Sequence, residues 1–203
     1  MVTEDKLAFR FDCGAVWLNL LATTGRTFSA NPVERLSTPS RFAEWLRHSE
    51  LSPVRPPCEA DLLRARRLRE TLRTLALATV DEHPPPADAV ADLVAFLAQH
   101  DDPIGMTATD RLRRKPPATA GHALARIARQ AVDQLTGADR NALKSCPEHD
   151  CRAVFIDPLG RRRWCPSAAC ASRGRVRALR ARRQASTAHG SGDTPAAPFP
   201  RSV

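Results

Sequence analysis

Cys146 and Cys151, then Cys165 and Cys170, make two Cys-x4-Cys pairs with thirteen residues between them. Thiolate sulfur is a soft donor that zinc favours, and two short-spaced pairs on facing turns supply a tetrahedron of ligands with little loop-closure cost. Four thiolates leave no coordination position for an activated water, so the chemistry implied is structural rather than catalytic. The spacing lies at the long end of the range for zinc-finger pairs. Four unrelated buried thiols are the bland alternative, and the paired spacing among prolines, arginines and a glycine speaks against it. Disulfides would need an oxidising compartment. The first ten residues, MVTEDKLAFR, hold no apolar signal segment, so a reduced, cytoplasmic protein is expected. His149 sits inside the first pair and is not needed as a ligand. Cys13 and Cys58 lack partner spacing and read as buried free thiols.

Charge says what a metal module could be for. The chain has 31 Lys+Arg against 22 Asp+Glu, a formal net of +9. Residues 140–183 hold twelve basic side chains against only Glu148, Asp150 and Asp157, whereas basic and acidic side chains balance over residues 1–139. The whole excess therefore lies in the cysteine segment. Zinc held by four thiolates subtracts two charges, leaving about +7 on a small module. Such a field favours a polyanion, most plainly nucleic acid. Lysine occurs only at 6, 115 and 144, a bias expected of a GC-rich genome, which does not explain the clustering. No apolar run approaches the eighteen or so residues of a membrane span.

The elements that must position these residues are mostly helical. Alternating Leu7, Phe9 and Phe11 predict a short strand, and a helix follows Gly14 through Val16–Leu21. Thr38 and Pro39 read as N-cap and N1 of a helix carrying Phe42, Trp45 and Leu46. A long helix from about Glu59 to Val80 places Leu68, Leu72, Leu75 and Ala76 on one stripe, with Arg66, Arg67, Arg69, Glu70 and Arg73 largely off it. Further helices carry Val90, Leu93, Val94 and Leu97, and then Leu124, Ile127, Ala128, Ala131 and Leu135 before Gly137. His122 lies on the second of these as a surface or packing residue. Between them, Met106 to Leu112 predicts a strand or hairpin arm.

In the cysteine segment, Ala153–Asp157 reads as a strand, Pro158-Leu159-Gly160 as a turn capped by Asp157, and Arg161–Cys165 as a returning strand. Trp164 reads as the aromatic that plugs so small a module. A helix starts at Pro166-Ser167. It carries Arg173, Arg177 and Arg180 at i, i+4, i+7 on one face, with Val176 and Leu179 facing the body of the module. A basic helix projecting from a finger is one way into a DNA groove. Residues 184–203 are rich in Ser, Gly, Pro and Ala and read as a disordered tail.

The pattern Cys146-x4-Cys151-x3-Phe155-x-Asp157, followed by Arg162-Arg163-Trp164-Cys165-x4-Cys170-x2-Arg173-x-Arg175, resembles the CGNR zinc finger of bacterial transcription regulators. Val16–Gly25, Glu34-Arg35-Leu36, Phe42–Leu46 and Ala65–Arg73 resemble its companion ABATE domain, a stress-induced regulator region. The chain departs from the signature where Ala171-Ser172 replace Gly-Asn, and Asn19 stands where the family often carries aspartate. The resemblance implies zinc and DNA binding, and the four thiolates, which leave no position open for water, argue against an enzyme.

The resulting expectation is an α+β protein, mostly α with a small β component: an ABATE-like helical domain over 1–139, a treble-clef or ribbon-like CGNR finger over 140–183 and a tail over 184–203. The finger would bind zinc through Cys146, Cys151, Cys165 and Cys170 and nucleic acid through Arg161, Arg162, Arg163, Arg173, Arg175, Arg177 and Arg180. The helical domain would sense a small-molecule effector or form a homodimer. An RNA-binding or ribosome-associated zinc protein is the alternative, using the same arginines on phosphate and shape.

Overall fold

The computed structural model describes residues 7–103, 105–108 and 110–189. In chain order the elements are α1 (Val16–Leu21), β1 (Thr24–Gly25), β2 (Val33–Glu34), α2 (Pro39–His48), α3 (Glu59–Val80) and α4 (Ala87–Gln99). The hairpin β3 (Met106–Ala108) and β4 (Leu112–Arg114) follows, then α5 (Ala120–Thr136), a 3-10 turn (Ala138–Ala142), β5 (Leu143–Ser145), β6 (Val154–Ile156) and α6 (Ala168–His189). Among the described residues the strands form three separate two-stranded antiparallel ladders, β1 with β2, β3 with β4 and β5 with β6. The protein is thus mostly α with a small β component, as its sequence implies.

Local chemistry explains the helix starts. Thr38 caps α2 by accepting from the Arg41 N–H at 3.2 Å, with Pro39 just inside, and Thr119 caps α5 from the His122 N–H in the same way. At the start of α3 the carboxylate of Asp61 reaches back to the backbone N–H of Cys58 at 3.1 Å and to its thiol at 3.3 Å. The long α3 is the central helix, packing against α1, α2, α4 and α5. Trp17, Leu18 and Leu20 of α1, Phe42 and Trp45 of α2, Leu62 and Leu72 of α3, and Leu124 and Ile127 of α5 are fully buried around it.

Several elements differ from expectation. Leu7–Phe11 pairs with no strand among the described residues. Phe11 stacks on Trp45 at 6.4 Å and the Arg41 guanidinium lies 4.1 Å from the Phe9 ring, so aromatic packing on α2 holds the segment in place of a ladder. On α4 the buried face is Ala89 and Leu93, with Phe96 and Leu97 partly covered. Val90 and Val94 are exposed to solvent. Arg69 and Arg73 are buried rather than off the stripe of α3. Arg69 forks onto Glu34 at 2.8 and 2.6 Å and onto Thr23 Oγ1 at 2.9 Å, while Glu70 bridges it to Arg73. Fork-to-carboxylate pairing of this kind fixes geometry as well as charge, and here it fastens the β1–β2 hairpin to α3. Burial works against the Arg69 charge, but these carboxylates hold its pKa above the ordinary value.

The cysteine segment is not a separate body. Leu143, Val154 and Phe155 join the same apolar core as Trp17 and Leu62. The Ile156 N–H donates to the Cys13 carbonyl at 3.0 Å, the Phe28 N–H to the Asp150 carbonyl at 3.2 Å, and Arg152 donates to both oxygens of Asp81 at 2.6 and 2.8 Å. α6 continues to His189; residues 190–203 of the expected tail lie outside the described residues.

Candidate metal centre and basic surface

The first ligand pair flanks a tight turn at the mouth of the β5–β6 hairpin. The Cys146 N–H donates to the Ala153 carbonyl at 2.9 Å. The N–H groups of Cys151 and Arg152 both donate to the Glu148 carbonyl, at 2.9 and 3.0 Å, with Arg152 at φ 43. The second pair brackets the start of α6: Cys165 precedes it, and Cys170 lies in its first turn with its N–H on the Ser167 carbonyl at 3.1 Å. All four Sγ atoms lie within 4.8 Å of one another. Cys146, Cys165 and Cys170 are buried and Cys151 is half-buried.

The donor set fits zinc. Four sulfurs in so small a space must share protons unequally unless a cation takes them all as thiolates. Hydrogen bonding with Cys146 and with Cys165 raises the Cys151 thiol far above its ordinary value, while hydrogen bonds from Cys146 and Cys151 pull Cys165 far below. Two cations stand ready to offset the net −2 of a tetrathiolate zinc: Arg10 Nη1 donates to Cys165 Sγ at 3.8 Å and Arg173 Nη2 to Cys170 Sγ at 3.4 Å. Arg10 is a partner that the ligand spacing gave no reason to seek, since it approaches from the far end of the chain.

The hairpin of the module differs from expectation. β6 pairs with β5, which precedes the first cysteine, in the register Leu143↔Ile156 and Ser145↔Val154. Arg161–Cys165 is not a strand: Gly160 turns with φ 63, and Arg161, Arg162 and Arg163 leave the hairpin exposed. Asp157 does cap the turn, accepting the Arg162 N–H at 2.8 Å. Trp164 is half-buried between the Arg163 guanidinium, 5.1 Å from its ring, and buried Gly174 of α6. A Cβ at Gly174 would lie 2.4 Å from the indole Nε1.

On α6, Val176 and Leu179 are about half exposed and do not face the module. Arg173 and Arg177 take that place. Arg173 Nη1 donates to Asp150 at 2.8 Å, and Arg177 Nη2 donates to Glu148, whose side chain is only 1% exposed. Arg175 donates to its own helix at Ala171 O, and Arg180 is exposed. The seven arginines therefore divide into two paired with acids, Arg173 with half-buried Asp150 and exposed Arg177 with buried Glu148, and five exposed ones outside those pairs. Periodicity showed the shared face of Arg173 and Arg177, but not that Glu148 and Asp150, between the first two ligands, would occupy it.

The remaining candidates separate cleanly. His149 is exposed, Cys13 is buried and Cys58 is exposed at the α3 cap rather than buried. Asn19 is buried and its Oδ1 accepts the Cys13 N–H at 3.1 Å, a structural duty that an amide fills without a charge.

Residues 14–138 match the family model ABATE, described as "Putative stress-induced transcription regulator", and residues 142–183 match the CGNR zinc finger. Comparison with curated proteins returns no match. Neither family is an enzyme family, and among the described residues no helix is long and apolar enough to cross a membrane. With the ABATE match spanning more than half the chain and the four cysteines of the finger gathered around one point, this is a zinc-binding protein that belongs to the ABATE family and carries a CGNR zinc finger.

Proposed function

We propose that the protein is a cytoplasmic, zinc-dependent DNA-binding transcription regulator. The finger and α6 contact DNA, and the helical domain over 1–139 senses an effector or holds a homodimer. The observation that carries this reading is the segregation of the entire positive excess into residues 140–183, where Arg161, Arg162, Arg163, Arg175 and Arg180 are exposed around a structural metal centre. Zinc fixes the knuckle, the knuckle fixes the first turn of α6 through Cys170, and the helix carries its arginines outward. Phosphate contacts from the Arg161–Arg163 turn would set position, and the helix would reach a groove.

The test is selection of bound fragments from the source genome by zinc-loaded protein, followed by binding across a salt series to the selected duplex, random duplex and structured RNA. Preference for a selected duplex, with a log–log salt slope that falls by about 0.9 for each phosphate-contacting arginine removed, supports the regulator. Equal binding to random duplex with tighter binding to structured RNA would replace it with the RNA reading.

A further inference from the structure

A cleft of about 510 Å³ separates the β1–β2 hairpin from the metal knuckle, a size typical of small-ligand sites. Its lining contains Arg10, Arg26, Arg35, Arg73 and Arg173, and no Asp or Glu. Four of the five have acidic partners outside the lining: Arg10 pairs with Asp12, Arg26 and Arg173 with Asp150, and Arg73 with Glu70. Arg35 forms no ion pair among the described residues. Its Nη1 donates to the Ala22 carbonyl at 3.3 Å, and its Nε is buried without a hydrogen-bond partner. Neighbouring Glu34 is taken up by Arg69.

One more buried polar atom on the same cleft lacks a hydrogen-bond partner, Thr24 Oγ1. Buried donors are nearly always satisfied in folded proteins, so two orphans on neighbouring residues that line one cavity call for an acceptor. Burial first, and then the charge of Arg10, depress the Arg35 pKa, with neighbouring Glu34 opposing them. Gly25 makes the arrangement possible, since a Cβ there would lie 2.5 Å from Arg35 Nη1. Leu21, Val33 and Val154 add an apolar wall.

We propose that this cleft binds a small organic anion, a carboxylate or phosphate attached to an apolar body, through Arg35 and Thr24. The inference rests on the regulator reading only in calling that anion an effector; the site stands on its own geometry. Cys151, Cys170 and Arg173 share the lining with the β1–β2 hairpin, so a bound anion bridges the ABATE domain and the root of α6. Ligand and nucleic acid then bias the same contact, as reciprocal coupling requires.

The test uses the full zinc-loaded chain, with ¹⁵N NMR of the Arg Nε–H and backbone amide signals during titration to about 10 mM with benzoate, inorganic phosphate or neutral benzamide, a range suited to fragment affinities. Saturable shifts at Arg35 Nε–H, Gly25 and Val33 with benzoate or phosphate, and none with benzamide, are expected. Arg35→Gln should weaken binding by about tenfold or more, and Thr24→Val by a few-fold, with zinc content unchanged. The second variant keeps the test open if the first does not fold. Absence of saturable shifts at the cleft with either anion, or shifts that persist unchanged in both variants, overturns the site. Anion binding by a protein that binds no DNA would keep the site and remove the regulator.

Discussion

Glu148→Gln is the substitution that asks whether α6 is a nucleic-acid element. Glu148 is 1% exposed and accepts from Arg177, with Arg173 Nε at 3.7 Å, whereas the Arg177 and Arg173 side chains are 53% and 38% exposed. The acid is fixed and the arginines reach it from the surface, so amide in place of carboxylate keeps the shape and removes the charge that holds them. Two guanidinium groups become free to meet phosphate in competition with Asp150 for Arg173 alone. If one or both do so, the log–log salt slope steepens by about 0.9 to 1.8. Between about 50 and 200 mM salt, a fourfold change, the variant would lose roughly 3- to 12-fold more affinity than the parent, from a tighter low-salt starting point. Fluorescence anisotropy with a labelled duplex reads this, with zinc content measured in parallel because the residue lies between two ligands. A zinc-loaded variant with unchanged slope and unchanged low-salt affinity would refute the reasoning: the basic face of α6 would then not touch the polyanion.

Zinc should bind at one per chain; Cys165→Ser should release it, while Cys13→Ser and Cys58→Ser leave the stoichiometry unchanged by elemental analysis. Because Phe155 and Val154 share the core of α1 and α3, chelation should also speed amide exchange in α1, and Phe155→Ala should cost about 3–5 kcal/mol in chemical denaturation. Asp102, buried with Arg126 at 2.6 and 3.0 Å, should lose about 3 kcal/mol of fold stability on change to Asn, because a buried guanidinium is left without its carboxylate. Burial alone would raise the Asp102 pKa, but Arg126 and Arg114 hold it below the ordinary value. Its contribution is therefore full above about pH 4 and disappears as pH falls through the depressed value, an acid limb that Asp102→Asn should shorten in pH-dependent unfolding. A thiol reagent at neutral pH should label Cys58 in the zinc-loaded protein and spare Cys13, whose thiol is pushed up to about 12, chiefly by burial.

The parts legible in the sequence were those set by short-range rules. Cap and periodicity placed α2 at Thr38-Pro39 and α3 over Glu59–Val80, and thiol spacing alone assembled the metal ligands. What escaped depends on partners distant in sequence. Nothing near Arg69 announces that Glu34, thirty-five positions away, will draw it into the core. Leu7–Phe11 carries a strand pattern, yet strand formation needs a partner edge, and the nearest surface offered was the aromatic face of α2. The β5–β6 pairing was missed because Leu143-Lys144-Ser145 is too short to show alternation, while Arg161–Cys165 lay in the more obvious position after a Pro-Leu-Gly turn.

Gly174 has a mechanical meaning beyond packing. The indole of Trp164 occupies the space a side chain would fill there, so the root of α6 rests against an aromatic plate beside Cys165. Fifteen residues of helix extend past that point to His189, about 22 Å at 1.5 Å per residue. A rotation of roughly 10° about such a fulcrum would carry the far end about 4 Å, more than a hydrogen bond can follow. The aim of the helix is thereby set by a missing methyl group at its root, and Gly174→Ala would re-aim the arginines beyond it without altering one of them.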